Sequence, residues 1–163
     1  MSAEVYVVAD TASGARYAIK KVDKSKPKIP WRKLYREVEI LKILQHPHLV
    51  EYFDSRDGPG YFEIFMEFVP FGDLEQYTEN RGGMLAEEVA KSVASQIFSA
   101  VAFMHRHHCV HRDLKPENIL VYAEDPLHVK VSDLGLSKML DQQTSAYVLS
   151  SHMLKGSMRL RYF

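Results

Sequence analysis

The sequence predicts an α+β fold in two subregions: strands flanking one helix, then a mostly helical part that carries a small hairpin. Three observations support this. Short runs rich in Val, Ile, Tyr and Phe, separated by Gly, Pro and Asp clusters, fill most of the first part. One segment there, Trp31 to Gln45, changes to three- and four-residue apolar spacing. A longer stripe with the same spacing dominates the second part, from about Glu87 to the basic run HRHH.

Taken in order, EVYVVAD and ARYAIKKV read as strands joined through TASG, with Gly14 at the turn. The lysine-rich KKVDKSKPKIP, closed by Pro27 and Pro30, reads as a solvated loop. In the helix that follows, Leu34, Val38, Leu41 and Gln45 form the stripe, and Pro47 lies just past its end. LVEYFDS and YFEIFMEFV are strands around a turn at RDGPG, and DLEQYTEN is a short helix ended by RGG. In the longest helix Val89, Val93, Ile97 and Val101 make one stripe, widened by Ala90, Ala94 and Phe98. NILVY and HVKVS are short strands around EDP. From Asp141 onward, weak periodicity and many Ser and Thr indicate a loop.

Composition narrows the function classes. The 163 residues suffice for one domain with a core, and 46% apolar with 26% charged residues is ordinary for a soluble globular protein. Lys+Arg and Asp+Glu are both 21, which argues against nucleic acid as the main partner. No apolar run reaches the ~20 residues of a membrane span, and MSAEVYVVAD lacks the charged and apolar regions of a signal peptide. The single cysteine, Cys109, excludes an intrachain disulfide. The expectation is an intracellular protein of cytoplasm or nucleus that binds neither nucleic acid nor membrane.

Polar residues placed at apolar junctions mark the candidate chemistry. In YAIK, Ala18 and Lys20 are two apart on a strand and share a face. The lysine there needs an anion or an opening to solvent, although a strand lysine alone is commonly plain surface. Glu37 lies at the edge of the helical stripe, between Leu34 and Leu41, where a carboxylate needs a partner. A Lys20–Glu37 pair would meet both needs; an exposed helix-edge glutamate is the equal alternative. CVHRDLKPENIL then sets charged groups between a helix and a strand. Asp113 and Asn118 are five residues apart, with Lys115 between them and Pro116 barring a helix. Such a loop can bring a carboxylate, an ammonium and an amide to one point. Phosphoryl transfer needs those parts: an orienter for the attacking hydroxyl, a cation against phosphate charge and an oxygen ligand for magnesium. Asp133, in VSDLG, adds a second hard oxygen at a strand end, and Gly135 permits a sharp turn after it. His105 to His108 would need to converge to hold a metal, but contiguous side chains fan around a helix. A basic helix C-terminus favoured by the dipole is the better reading.

YAIK, REVEIL, HRDLKPEN and SDLG stand in the order of strand lysine, helix glutamate, catalytic loop and metal-binding triplet that marks protein kinases. On these motifs the chain resembles the eukaryotic protein kinase family over nearly all its length. HRDLKPEN, with a lysine two residues past the aspartate, is similar to the serine/threonine branch. The resemblance implies a protein-kinase-like α+β fold. Residues 1–66 would be a small β-rich N-lobe lacking the first strand and glycine-rich loop, 67–69 a hinge, and 70–163 an incomplete, mainly helical C-lobe with an activation-segment-like tail from about 133. It also implies ATP and Mg2+ as cofactors and a protein substrate. Lys20 would hold the α/β-phosphates and pair with Glu37. Asp113 would orient the substrate hydroxyl, Lys115 would stabilise the transferred group, and Asn118 and Asp133 would bind two magnesium ions. Met66 resembles the residue behind the adenine pocket, and Glu67 to Val69 the hinge whose backbone bonds adenine. Val5, Ala18 and Leu120 resemble the apolar sandwich around the base, and Asp73 the ribose-contacting acid. Tyr52, with Leu41, His111 and Leu134, resembles the packed column joining two lobes, a role compatible with plain core.

Three departures accompany the resemblance. Ala3 stands at about the place of the third glycine of the phosphate loop, the triplet has Leu134 where Phe is usual, and HMLKGSMRLRYF contains no Ala-Pro-Glu motif. A long helix without the usual helices beneath it would expose apolar surface for a partner to cover. Thr144, Ser145, Ser150 and Ser151 are candidate phosphosites whose phosphate Arg112 could receive. The alternative function is a nucleotide-binding or interaction module without transfer activity, or a shortened gene product.

Overall fold

A computed structural model describes the backbone of residues 3–25, 31–134 and 137–139, and the side chains of these except 3, 31–34, 36, 37, 138 and 139. The candidate phosphosites and Gly135 lie outside the described residues.

Strands β1 (Ala3–Ala9), β2 (Arg16–Asp23), β3 (Tyr52–Asp57) and β4 (Tyr61–Glu67) form an antiparallel sheet in the order β1-β2-β4-β3. The β1–β2 turn forms because Asp10 Oδ1 accepts from the N–H groups of Ala12 (3.0 Å) and Ser13 (2.7 Å), and Gly14 takes φ +73°. Register then decides the faces. Val5 lies opposite Lys20, Val7 opposite Ala18, Ala18 opposite Met66, and Lys20 opposite Ile64. Cross-strand partners share a face, so these side chains line one side of the sheet. Val22 and Phe62 continue that side into the core, both buried.

Helix α1 (Trp31–Ile43) ends two residues before the expected limit. Val38, Ile40, Leu41 and Leu44 are buried, whereas Gln45 is exposed, because a polar amide past the last turn gains more from water than from the apolar face. Leu34 lies outside the described side chains. Leu49 and Val50 were expected to belong to the strand that starts LVEYFDS, but they turn the other way, onto the second subregion.

That second subregion holds α2 (Leu74–Glu79), α3 (Glu87–Arg106), a short β5 (Cys109–Val110), a hairpin of β6 (Ile119–Glu124) and β7 (Leu127–Val131), and β8 (Lys138–Met139). β5 and β8 pair with each other, and neither two-residue strand carries a periodic signal. Along α3, Val93, Gln96, Ile97, Ala100 and Met104 are buried. Phe98 is 63% exposed, so the expected widening through Phe98 is wrong and the stripe broadens toward Gln96, Ala100 and Met104. The hairpin lies on that flank. One apolar cluster runs from Val22 and Phe62 through Leu41 and Leu49 to Ile97, Val121, Val131 and Leu134, so the subregions share a core. The α+β arrangement in two parts is as expected. Among the described residues no helix is long and apolar enough to cross a membrane.

Candidate functional site

A two-stranded hairpin alone is marginally stable in water, yet β6–β7 holds the candidate metal ligands at its open end. Its outer edge is hydrogen-bonded by other elements. Gln96 from α3 donates through Nε2 to Leu127 O and accepts at Oε1 from Val129 N, both at 2.8 Å. His48 Nδ1–H donates to Val129 O at 3.0 Å. Val131 N–H donates to His48 O, and Val131 O accepts from Val50 N–H, completing the edge. Buried backbone groups need such partners. Gln96 escaped the sequence reading because an amide within an apolar stripe looks like a polar interruption.

Register carries this order to the chemistry. Ile119 lies opposite Val131, so Asn118 and Ser132 face each other, and Asp133 follows one residue on. Ser132 N–H and Oγ both donate to Asn118 O, at 2.8 and 3.0 Å. Asn118 and Asp133 therefore emerge side by side from adjacent strand ends.

The loop before β6 is built around two buried polar side chains. His111 donates from Nε2 to Ser132 O at 2.8 Å and accepts at Nδ1 from the Asp113 N–H at 3.3 Å. Its ring is thus neutral with the proton on Nε2. Burial pushes its pKa down, opposed by the bond to Ser132 and the charges of Asp133 and Asp113. Asn118 Nδ2 donates to the Asp113 carbonyl at 2.7 Å and to its carboxylate Oδ2 at 3.0 Å. A single turn of 3-10 helix (Pro116–Asn118) shapes the approach. Arg112 (φ +70°) and Asp133 (φ +54°) occupy the left-handed region, which is uncommon for residues other than glycine. Such strain persists where surrounding bonds over-determine the backbone.

From the sheet, Lys20 reaches Asp133: Nζ lies 3.1 Å from Oδ1, with side chains 15% and 49% exposed. Glu37, its expected partner, lies outside the described side chains. Val5 and Val7 continue the Lys20 and Ala18 face and are largely exposed. Val7 was missed by the sequence reading, although its two-residue offset from Val5 on one strand was the available signal. On the opposite side, Leu120 bridges Asp73. Asp73 Oδ1 also caps α2, accepting from Gln76 N–H at 2.8 Å. Met66 is half-buried opposite Ala18, and Val69 is buried. Tyr52 packs against the cluster that contains Leu41 and Leu134.

Glu67, where β4 ends, has a second feature. Its carboxylate meets Lys130 of β7 at 2.8 Å, with both side chains little exposed, and accepts from Glu51 N–H at 3.2 Å. Lys130 also lies over the Tyr122 ring, 5.0 Å from its centroid. This pair ties the end of the sheet to the hairpin. Its signal in sequence was a lysine between two buried valines in HVKVS. Lys115 lies against Glu117 at 3.7 Å, and among the described residues it makes no ion pair with Asp113.

Asn118 Oδ1 takes no hydrogen bond among the described residues, and the Asp133 carboxylate is half exposed. Two hard oxygens at neighbouring strand ends suit Mg2+. Among the described residues no group of three or more His, Cys, Asp or Glu gathers.

The family description "Protein kinase domain" matches residues 1–157. The chain is 36% identical over 140 residues to the SNF1-related protein kinase catalytic subunit alpha KIN12 of Arabidopsis thaliana, covering 85% of this chain and 28% of the relative. It is 37% identical over 135 residues to a calcium/calmodulin-dependent protein kinase type 1 of Caenorhabditis elegans, covering 82% and 38%. It is 39% identical over 136 residues to cell division control protein 2 homolog 3 of Trypanosoma brucei brucei, covering 82% and 42%. The chain thus spans less than half the length of these relatives.

Proposed function

Because the chain belongs to the protein kinase domain family, we propose that it is an ATP- and magnesium-dependent protein serine/threonine kinase. The observation that carries this reading is the meeting of Lys20 with Asp133, 113 residues apart in sequence, beside the Asp113–Asn118 pair.

In this reading the sheet face of Val5, Ala18 and Met66 and the hairpin residue Leu120 enclose the base. The backbone of Glu67 to Val69 bonds its edge, and Asp73 faces the ribose. Lys20 offers its ammonium to the α/β-phosphates, steadied by Asp133 and, from α1, by Glu37. Asn118 Oδ1 and the Asp133 carboxylate would hold the two magnesium ions, which would supply charge neutralisation on the phosphates. Asp113, oriented through Asn118 Nδ2, accepts the proton of the substrate hydroxyl. The new bond joins that hydroxyl oxygen to the γ-phosphorus, the bond to the β-bridging oxygen breaks, and ADP leaves. Lys115 moves from Glu117 to the transferred group; the pair is exposed, so releasing it costs little.

Incubation with labelled Mg-ATP and a generic protein substrate tests the proposal. The expected result is phosphate incorporation on Ser or Thr that Lys20→Met and Asp113→Asn both remove. Incorporation no greater than in those variants overturns it, and Mg-ATP raising Tm without incorporation assigns the chain to nucleotide binding alone.

A further inference from the structure

Four of the eight histidines gather away from the proposed phosphate site, and the kinase reading does not use them. The rings of His107, Phe103, His46, His48 and His128 form a ladder with successive centroid distances of 4.5, 5.1, 5.7 and 6.5 Å. The ladder crosses three elements: helix α3, the loop that follows α1, and strand β7. It is not a metal site, since no three ligands converge among the described residues. Two of its rings are instead used in hydrogen bonds, and the one accepted by His46 Nδ1 requires that ring to be neutral. His46 Nδ1 accepts from His48 N–H at 3.1 Å, and His46 Nε2 faces Ser99 Oγ at 3.2 Å. His48, turned by that bond, donates from Nδ1 to the β7 edge at Val129 O.

We propose that this imidazole ladder is a proton-released latch: with His46 neutral it holds the loop after α1 onto α3 and β7, and protonation of His46 releases it. A proton on Nδ1 would set a donor against the His48 N–H and break the bond that orients the loop. The charge would also be unwelcome. The groups bearing on His46 are His48 from its own loop, Arg106 from α3 and Lys130 from β7, each cationic when charged, and Lys130 is already paired with Glu67. Burial, then these three groups, hold the His46 pKa below the ordinary 6.5. The unfolded chain therefore takes up the proton first as pH falls. The latch contributes fully above about 6.5 and is lost as pH drops from there through the folded value. The loop joins α1 to β3 and supports the hairpin edge, so its release would loosen the proposed nucleotide cleft as well. That consequence rests on the kinase reading; the latch itself does not.

Thermal unfolding of the full chain from about pH 7.5 to about pH 5.5 tests the latch by comparing wild type with His46→Asn. Asparagine Oδ1 can accept the same N–H two residues on and cannot titrate. The wild-type Tm is expected to fall by about 3 °C more than that of the variant over this range. Equal falls would overturn the latch, because His111 titrates in both. Should His46→Asn fail to fold, Arg106→Gln provides the test: with one cation removed, the acid-induced fall in Tm becomes shallower than in wild type, and an unchanged fall overturns the proposal. Neither measurement involves nucleotide, so failure of the latch and failure of the kinase reading are distinguishable.

Discussion

Strands β1 and β7 each pair with a single strand of their own sheet, and each borders the proposed cleft, but they are held very differently. β1 pairs only with β2 among the described residues, and Glu4 to Asp10 are all exposed. β7 has its outer edge bonded by Gln96, His48 and Val50, and Val129 and Val131 are buried. The chemistry follows the same division. β1 supplies Val5 and Val7, whose apolar contacts tolerate small displacements. The β6–β7 end supplies Asn118 and Asp133, whose proposed work as magnesium ligands requires fixed geometry. Among the described residues, the groups proposed to need precise placement sit where the strand edge is hydrogen-bonded by other elements, and the apolar groups of β1 sit on a strand paired along one side.

The contrast yields a graded set of expectations. Asp113→Asn should reduce phosphate transfer by about 10²–10⁴-fold with an unchanged melting curve, since the amide can still accept from Asn118; a comparable loss of Tm would assign Asp113 to structure instead. Gln96→Ala removes both side-chain bonds to β7 and leaves a void, and urea unfolding should show a loss of about 2–4 kcal/mol. A loss under about 0.5 kcal/mol, the level of a neutral surface change, would mean the β7 edge is no better held than β1. Lys130→Met strands the Glu67 carboxylate in a little-exposed position and should cost about 1–3 kcal/mol, with Glu67→Gln added to it recovering part of the loss. Additive effects in that double variant would show that the two residues act independently. Val5→Ala should leave stability within about 0.5 kcal/mol and weaken ATP binding by about two- to fivefold in a titration. A large stability loss there would show β1 to be as constrained as the hairpin.

Much of this was legible before folding. Period-two and period-3.6 patterns located the long elements, since each reflects one buried face. The misreadings fall where the burial pattern is local or polar. Leu49 and Val50 are apolar in either setting, and only the β7 edge explains why they leave β3. Phe98 matched the helical spacing, but the hairpin occupies the neighbouring flank of α3. Gln96 and Lys130 were overlooked because a buried polar side chain has no periodic signature; it is recognised by its partner.

The residue types and their order along the chain were therefore set by the sequence: a strand lysine, a polar loop around Asp113 and Asn118, and Asp133 at a strand end. Local spacing suffices for that, because it depends on neighbours a few residues away. The choice of partner depended on the folded chain. Lys20 meets Asp133, Glu67 meets Lys130, Gln96 closes β7, and Lys115 lies against Glu117. The first three pairings join residues from distant parts of the chain, and each charged or amide group had several chemically equivalent candidates in the sequence. Packing of the shared core brings one of them within reach and carries the others away.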